Sequence, residues 1–403
     1  MFGDLIPRTV PAELHQMLPW WVGYASLLTT TLLWFFATLL VCQIGALIVS
    51  APLRGARDRP WHEQARHAHS VRMLLSVQAL AWPLIAFILT SLWPLPLGFG
   101  SIAVRCFPPA LASLVAALWV RYRGERVIFG NRYTVLQLMR STIVYHFAMG
   151  QFTIVLAVVA ALLMPSRVNL TALAILAAMI AAVIFFTLGG SLHLLRAIGL
   201  LVPADDRLQR IVGQAAADVN FQPPKTYLAR MPAANALAFP WNGCLAFSEG
   251  ITEGLDDEQL KSIAAHEICH LGMPTSQKVM RLVTALAVLI SIAAIKPIIG
   301  HAGPGGILPA AVGLIMVIFI VQLISRRIMH REEQRADRAG AAVDEALYAG
   351  ALEQIYRQNL TPANWRSPQG HPALYDRMVA SGVQPTYDKP KPPSPWLRHL
   401  AFG

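Results

Sequence analysis

The sequence predicts a polytopic α-helical membrane protein of about seven transmembrane helices. It also predicts a small α+β domain split around a two-helix membrane hairpin. Three observations support this class. Only 14% of the residues are charged, against about 25% in soluble domains, and the mean hydropathy is +0.49. The apolar residues gather into seven runs near the length a bilayer requires, about 20 residues per helix. Between and after these runs lie two polar stretches rich in alternating acids and bases, near 197–281 and from 325 onward.

The runs are 20–49, 73–93, 102–120, 143–164, 170–195, 282–299 and 307–324. The first is overlong and fits a helix that tilts or extends past the lipid. The third is the weakest, because Arg105 interrupts it and Pro108 and Pro109 follow. One such run alone would read as a buried core helix; seven in one chain argue against that. No cleavable signal peptide is expected, since "MFGDLIPRTVPAELHQ" lacks a basic region leading into a short apolar core.

The formal net charge is +11, but its placement speaks for membrane topology and against nucleic acid. Arg54, Arg57, Arg59, Arg66 and Arg72 fill the first link, and Arg121, Arg123, Arg126, Arg132 and Arg140 fill the third. The links near 94–101, 165–169 and 300–306 carry only Arg167. This alternation predicts an N-terminus outside and a C-terminus in the cytosol, with anionic lipid headgroups as neighbours of the basic links. Arginine far outnumbers lysine, which points to a GC-rich bacterial source and so to an inner membrane. Cys42, Cys106, Cys244 and Cys269 lack paired spacing, so a disulfide framework is not expected.

The domain expectation follows. Residues 1–196 hold five membrane helices, 197–281 the first part of the polar domain, and 282–324 the hairpin. Residues 325–383 hold the second part, and 384–403 form a Pro-rich tail. In the first part "ADDRLQRIVGQAAADV" has helical spacing, while "KTYLARM" and "CLAFSEG" read as short strands. A helix should start at Asp256, where Gln259 completes a capping-box pattern.

That helix carries "AAHEICHLGM", with His266 and His270 four apart and Glu267 after the first. Residues i and i+4 share a helix face, so both imidazoles can reach one metal ion. A chance H-E-x-x-H is roughly a one-in-a-hundred event with this many histidines, and its bland reading is a solvated helix face. A zinc ion on two histidines needs a third protein ligand and an open position. "MHREEQRADRAGAA" continues the last run as a helix and offers Glu333 and Asp337, again four apart. Glu333 is the candidate third ligand, and Asp337 the candidate partner that fixes a histidine tautomer. Glu332 competes, but it lies about 100° around the helix. The interleaved Arg331, Arg335 and Arg338 also allow a plain surface ion-pair run.

Together these motifs resemble the integral-membrane gluzincin metallopeptidases, the family of the CAAX prenyl proteases and the heat-shock protease HtpX. The resemblance rests on Asn235-Ala236-Leu237-Ala238, His266-Glu267-Ile268-Cys269-His270, Glu333 to Asp337, and His371-Pro372 with Arg377. Five runs before the site and two after it look more like the seven-helix CAAX type. Cys269 replaces a usual glycine, and "PWNG" after "NALAF" departs from the pattern.

The resemblance implies a zincin-like catalytic domain on the cytosolic face. It implies one Zn2+ on His266, His270 and Glu333, with Glu267 as general base. It further implies oxyanion stabilisation by His371, support from Arg377, and strand addition of a protein or peptide substrate along Asn235–Phe239. Two other readings remain open. A ligand-switched membrane sensor protease would need a sizeable outside domain, and the outside links are short. A non-catalytic scaffold would be expected to lack Glu267 or a ligand. A site-2-type intramembrane protease is excluded, because the runs contain no Asp.

Overall fold

The computed structural model describes residues 20–92, 102–129, 133–365 and 372–393. The chain divides into two compact units, 1–134 with 392–403, and 135–391. In the first, helices α1 (Trp20–Arg54), α2 (Trp61–Leu92) and α3 (Ile102–Phe129) pack on one another. Small residues let them approach closely: Ala65, Ala68, Ala86, Ala116 and Ala117 are buried, beside larger ones such as Val71 and Leu75. Buried Thr38 and Ser113 share a hydrogen bond of 2.7 Å between α1 and α3. Leu33, Leu40, Leu80 and Leu84 stay exposed. This is the inversion expected where lipid, not water, is the solvent, because close helix approach then replaces apolar burial as the driving force.

The second unit opens with α4 (Val135–Ala148) and α5 (Phe152–Leu163). Here the fourth apolar run differs from its expected single helix. The chain breaks at Met149–Gln151, where Gly150 takes φ +69°, a left-handed conformation that glycine adopts without steric cost. Helix α6 (Leu170–Phe185), a π-helical turn (Phe186–Gly190) and α7 (Ser191–Ala197) follow as one apolar stretch.

Next come β1 (Leu201–Pro203), α8 (Asp206–Asp218), β2 (Lys225–Ala229), β3 (Ala236–Phe239) and β4 (Cys244–Ser248). Then follow α9 (Glu249–Gly254), α10 (Asp257–Leu271), α11 (Thr275–Ala302), α12 (Ile307–Ala341), α13 (Glu345–Gln358) and α14 (Leu374–Ala380).

Four helical stretches are long and apolar enough to cross a membrane: Val22–Arg54, Trp61–Ser91, Leu170–Ala197 and Thr275–Ala302. The third run lies in α3 and the seventh at the start of α12, whose apolar part Leu308–Val321 is shorter. The expectation of seven crossings thus has four counterparts among the described residues.

The sheet runs β1-β2-β4-β3, with β2 and β4 parallel and both outer pairs antiparallel. Sequence patterning located β2 and β4. It missed β1, which is only three residues long; the edge strand expected along Asn235–Phe239 appears as β3, whose burial alternates as a strand's does. One face of the sheet buries Tyr227, Met231, Leu237, Phe239 and Ala246 against Val144, Leu192 and Leu195 of α4 and α7. Helices α8 and α10 pack against the sheet and each other. The domain therefore sits directly on the ends of its apolar helices.

Candidate metal centre

Helix α10 begins at Asp256 with the expected capping box: the Asp256 carboxylate accepts from the Gln259 N–H at 2.8 Å. Leu260, Ile263, Ala264, Ile268 and Leu271 anchor its inner face. That burial fixes the helix rotation, so His266 is buried while Glu267 and His270 are half-buried. Helix α12 runs on without a break from its apolar part through Ala341 and packs along α10. Its Glu333 is buried opposite the histidines.

Three ligand atoms converge there. His266 Nε2 lies 3.3 Å from His270 Nε2 and 3.8 Å from a Glu333 oxygen; His270 Nε2 lies 3.6 Å from the other. Ligands held 2.0–2.1 Å from a tetrahedral ion stand about 3.3–3.4 Å apart. The donor set and spacing fit a metal ion, and this is the group among the described residues that could hold one. Electrostatics agree. Burial alone would disfavour charge on His266, yet the carboxylates of Asp337, Glu267 and Glu333 together raise its pKa. The centre is arranged to accept positive charge.

Behind His266 lies a network that the sequence showed only in part. Asp337 Oδ1 is 3.3 Å from His266 Nδ1. The Tyr348 hydroxyl, from α13, is closer at 2.8 Å. That hydroxyl also donates to Asp337 Oδ1 at 2.7 Å and accepts from Arg377 Nη2 at 3.0 Å. Arg377 grips Asp337 with two nitrogens. Burial would raise the Asp337 pKa, but the Arg377 guanidinium and His266 hold it well below the usual carboxylate range. Burial raises the Tyr348 pKa, so its phenol is neutral. Arg377 is buried on the Nδ1 side of His266, away from the ligand nitrogen.

On the other flank Glu332 is buried and pairs with Arg335 at 2.7 Å, and Arg335 Nη2 donates to the Cys269 carbonyl at 3.0 Å. Glu332 and Glu333 therefore diverge, one to a structural ion pair and one to the histidines. Sequence reading missed Tyr348 and Arg335. Arg335 was legible only as one of several interleaved bases. Tyr348 follows Asp337 by eleven residues, on a separate helix, and nothing in its local pattern points to the site.

Residues 235–238 lie beside the motif helix. Asn235 N–H donates to Ser248 Oγ at 2.9 Å, and Ala236–Phe239 form β3, paired to β4 on one side and at the end of the strand order. Among the described residues its outer edge faces no further strand. Helix α10, which carries the histidines, packs against β3. His371 lies outside the described residues.

Residues 203–380 match peptidase family M48. Over this segment the chain is similar to the M48 peptidases. The chain is also similar to HtpX protease homologues, as the sequence motifs implied. One from Aquifex aeolicus is 28% identical over 194 residues, which is 44% of this chain and 64% of the relative. One from Syntrophobacter fumaroxidans is 28% identical over 165 residues, 37% of this chain and 58% of the relative. One from Methylibium petroleiphilum is 28% identical over 156 residues, 36% of this chain and 55% of the relative. The chain thus spans less than two thirds of the length of these relatives. No solved structure matches the chain. The matched segment includes both parts of the metal centre, α10 and the polar end of α12.

Proposed function

We propose that the chain is a membrane-embedded zinc metalloendopeptidase. On this reading it cleaves membrane-associated or unfolded protein substrates at the cytosolic face of a bacterial inner membrane. The observation that carries the reading is the convergence of His266, His270 and Glu333 at ligand spacing, with Glu267 on the same helix. When bound, Zn2+ acidifies a water molecule to a pKa of about 7 and polarises a carbonyl.

The chain's own residues do the rest. Glu267 is one position from His266 and does not belong to the ligand group. It takes a proton from the attacking water and passes it to the leaving amine. The outer edge of β3 binds an extended substrate by backbone hydrogen bonds, which suits a protease because the edge reads main chain before side chains. Asp337 and Arg377 hold His266 from behind. His371, by family resemblance, steadies the developing oxyanion. The finer likeness to the seven-helix CAAX prenyl proteases rests on the number and order of apolar runs.

Purified wild type and Glu267→Gln, compared for zinc content and for cleavage of an unfolded protein, test the reading. The variant should bind zinc like wild type and lose about 10²–10⁴-fold in cleavage. A variant that still cleaves at the wild-type rate would remove Glu267 from the mechanism.

A further inference from the structure

Asp337 stands four residues after Glu333 and would ordinarily be taken as the group that orients a ligand histidine. The distances divide that task differently. Tyr348 Oη is 2.8 Å from His266 Nδ1, whereas Asp337 Oδ1 is 3.3 Å away. We propose that Tyr348 is a positioning residue of the metal centre. Its hydroxyl is the direct acceptor for His266 Nδ1–H, and Asp337 acts on His266 through it.

The assignment follows from counting protons. The phenol has one proton to give and an oxygen that can accept twice. Asp337 Oδ1, at 2.7 Å, belongs to an ionised carboxylate that can only accept, so the phenolic proton goes there. Arg377 Nη2, at 3.0 Å, can only donate. One acceptor position remains on the oxygen, and one neighbour, His266 Nδ1, remains to fill it. His266 must then carry its proton on Nδ1. Its Nε2 lone pair is left facing His270 and Glu333, as a metal ligand requires. Every polar atom around the phenol is satisfied by this arrangement.

Packing holds the phenol where the count needs it. Tyr348 is fully buried, and its ring stacks on the His266 imidazole at 25° with centroids 6.0 Å apart. The ring itself and the hydroxyl thus have separable roles: the first fills space, and the second sets a tautomer.

Tyr348→Phe separates them, because it keeps the ring and removes only the oxygen. The test rests on the zinc reading above and uses the full-length protein in detergent. Zinc affinity is measured by chelator competition, the visible absorption of the Co2+-loaded protein is recorded, and metal-free melting is followed alongside. We expect Tyr348→Phe to bind zinc about 10–100-fold more weakly, the usual scale for losing a group that orients a ligand, and to show altered Co2+ bands. Zinc affinity within twofold of wild type with unchanged Co2+ bands would overturn the proposal and return the role to Asp337. A wild type that binds no zinc would instead defeat the metal reading itself. Should Tyr348→Phe not fold, 3-fluorotyrosine at position 348 keeps ring and hydroxyl while making the oxygen a poorer acceptor. Weakened zinc binding then supports the proposal, and unchanged binding sinks it.

Discussion

Gly340 lies against the ring of Tyr348: a Cβ at this position would come within 2.5 Å of Tyr348 Cε2 and 2.7 Å of Cδ2. Neither atom is the loose end of a flexible chain, because the ring is buried and its hydroxyl is held at three points. Gly340→Ala should therefore push Tyr348 off His266 although it touches no metal ligand. The expected result is a metal-free protein that still folds, melts lower, and binds zinc at least several-fold more weakly. Wild-type zinc affinity in this variant would show that α13 can shift without disturbing the centre.

Adjacent glutamates on α12 should behave differently. Glu333→Ala removes a carboxylate lying 3.6–3.8 Å from both imidazoles and should abolish most zinc binding, as loss of one of three protein ligands does. Glu332→Ala removes the partner of Arg335. It should retain zinc while lowering the melting temperature, because a buried side chain is removed and the partly exposed Arg335 loses its partner. Zinc analysis and thermal melting of both variants decide the matter. Equal zinc content in the two would contradict the ligand assignment.

Gly189 and Asn242 tie the edge strand to an apolar helix. Gly189 sits in the π-helical turn with φ +139°, and a Cβ there would lie 2.4 Å from Asn242 Nδ2. Asn242 belongs to the turn between β3 and β4, whose Pro240 carbonyl also accepts from Lys278 of α11 at 2.7 Å. This gives the unusual "PWNG" segment a physical role: it docks the hairpin onto two apolar helices. Gly189→Ala combines a left-handed conformation with a close contact, a strain on the order of 1–3 kcal/mol. It should lower the melting temperature and raise KM more than it lowers kcat, because β3 and not the metal group is displaced. A kcat loss with unchanged KM would argue against β3 as the substrate edge.

The metal group was legible in the sequence because its geometry is local twice over. His266 and His270 are related by one helical turn, Glu333 and Asp337 by another, and each pair needs only a continuous helix to be correct. The capping box at Asp256 was legible for the same reason. Tyr348 was not, since its place depends on α13 folding back across α10, a tertiary event with no local signature. The break at Gly150 was hidden by composition: residues 143–164 are apolar enough for a single helix, and only the positive φ of one glycine divides them. Strand β1 was too short to show a period of two.

Topology gives the most exposed prediction, that the metal centre lies at the cytosolic surface of the membrane. Thr275, the first residue of apolar helix α11, follows His270 by five positions. On the other side Glu333 follows Val321, the end of the apolar part of α12, by twelve residues, about 18 Å of helix. Both halves of the centre are thus tied to one hairpin and cannot move far from the lipid. The expected sense of the hairpin rests on the arginine-rich links, which alternate with nearly uncharged ones; on this prediction the polar domain lies inside. A substrate must then approach from the cytosol or along the membrane plane as an extended segment. A reporter enzyme active only in the periplasm, fused after Gly303 or after Gly340, reads this directly. Activity at Gly303 and silence at Gly340 are expected. The reverse pattern would turn the hairpin over and put the metal centre, with its substrates, outside the cell's inner membrane.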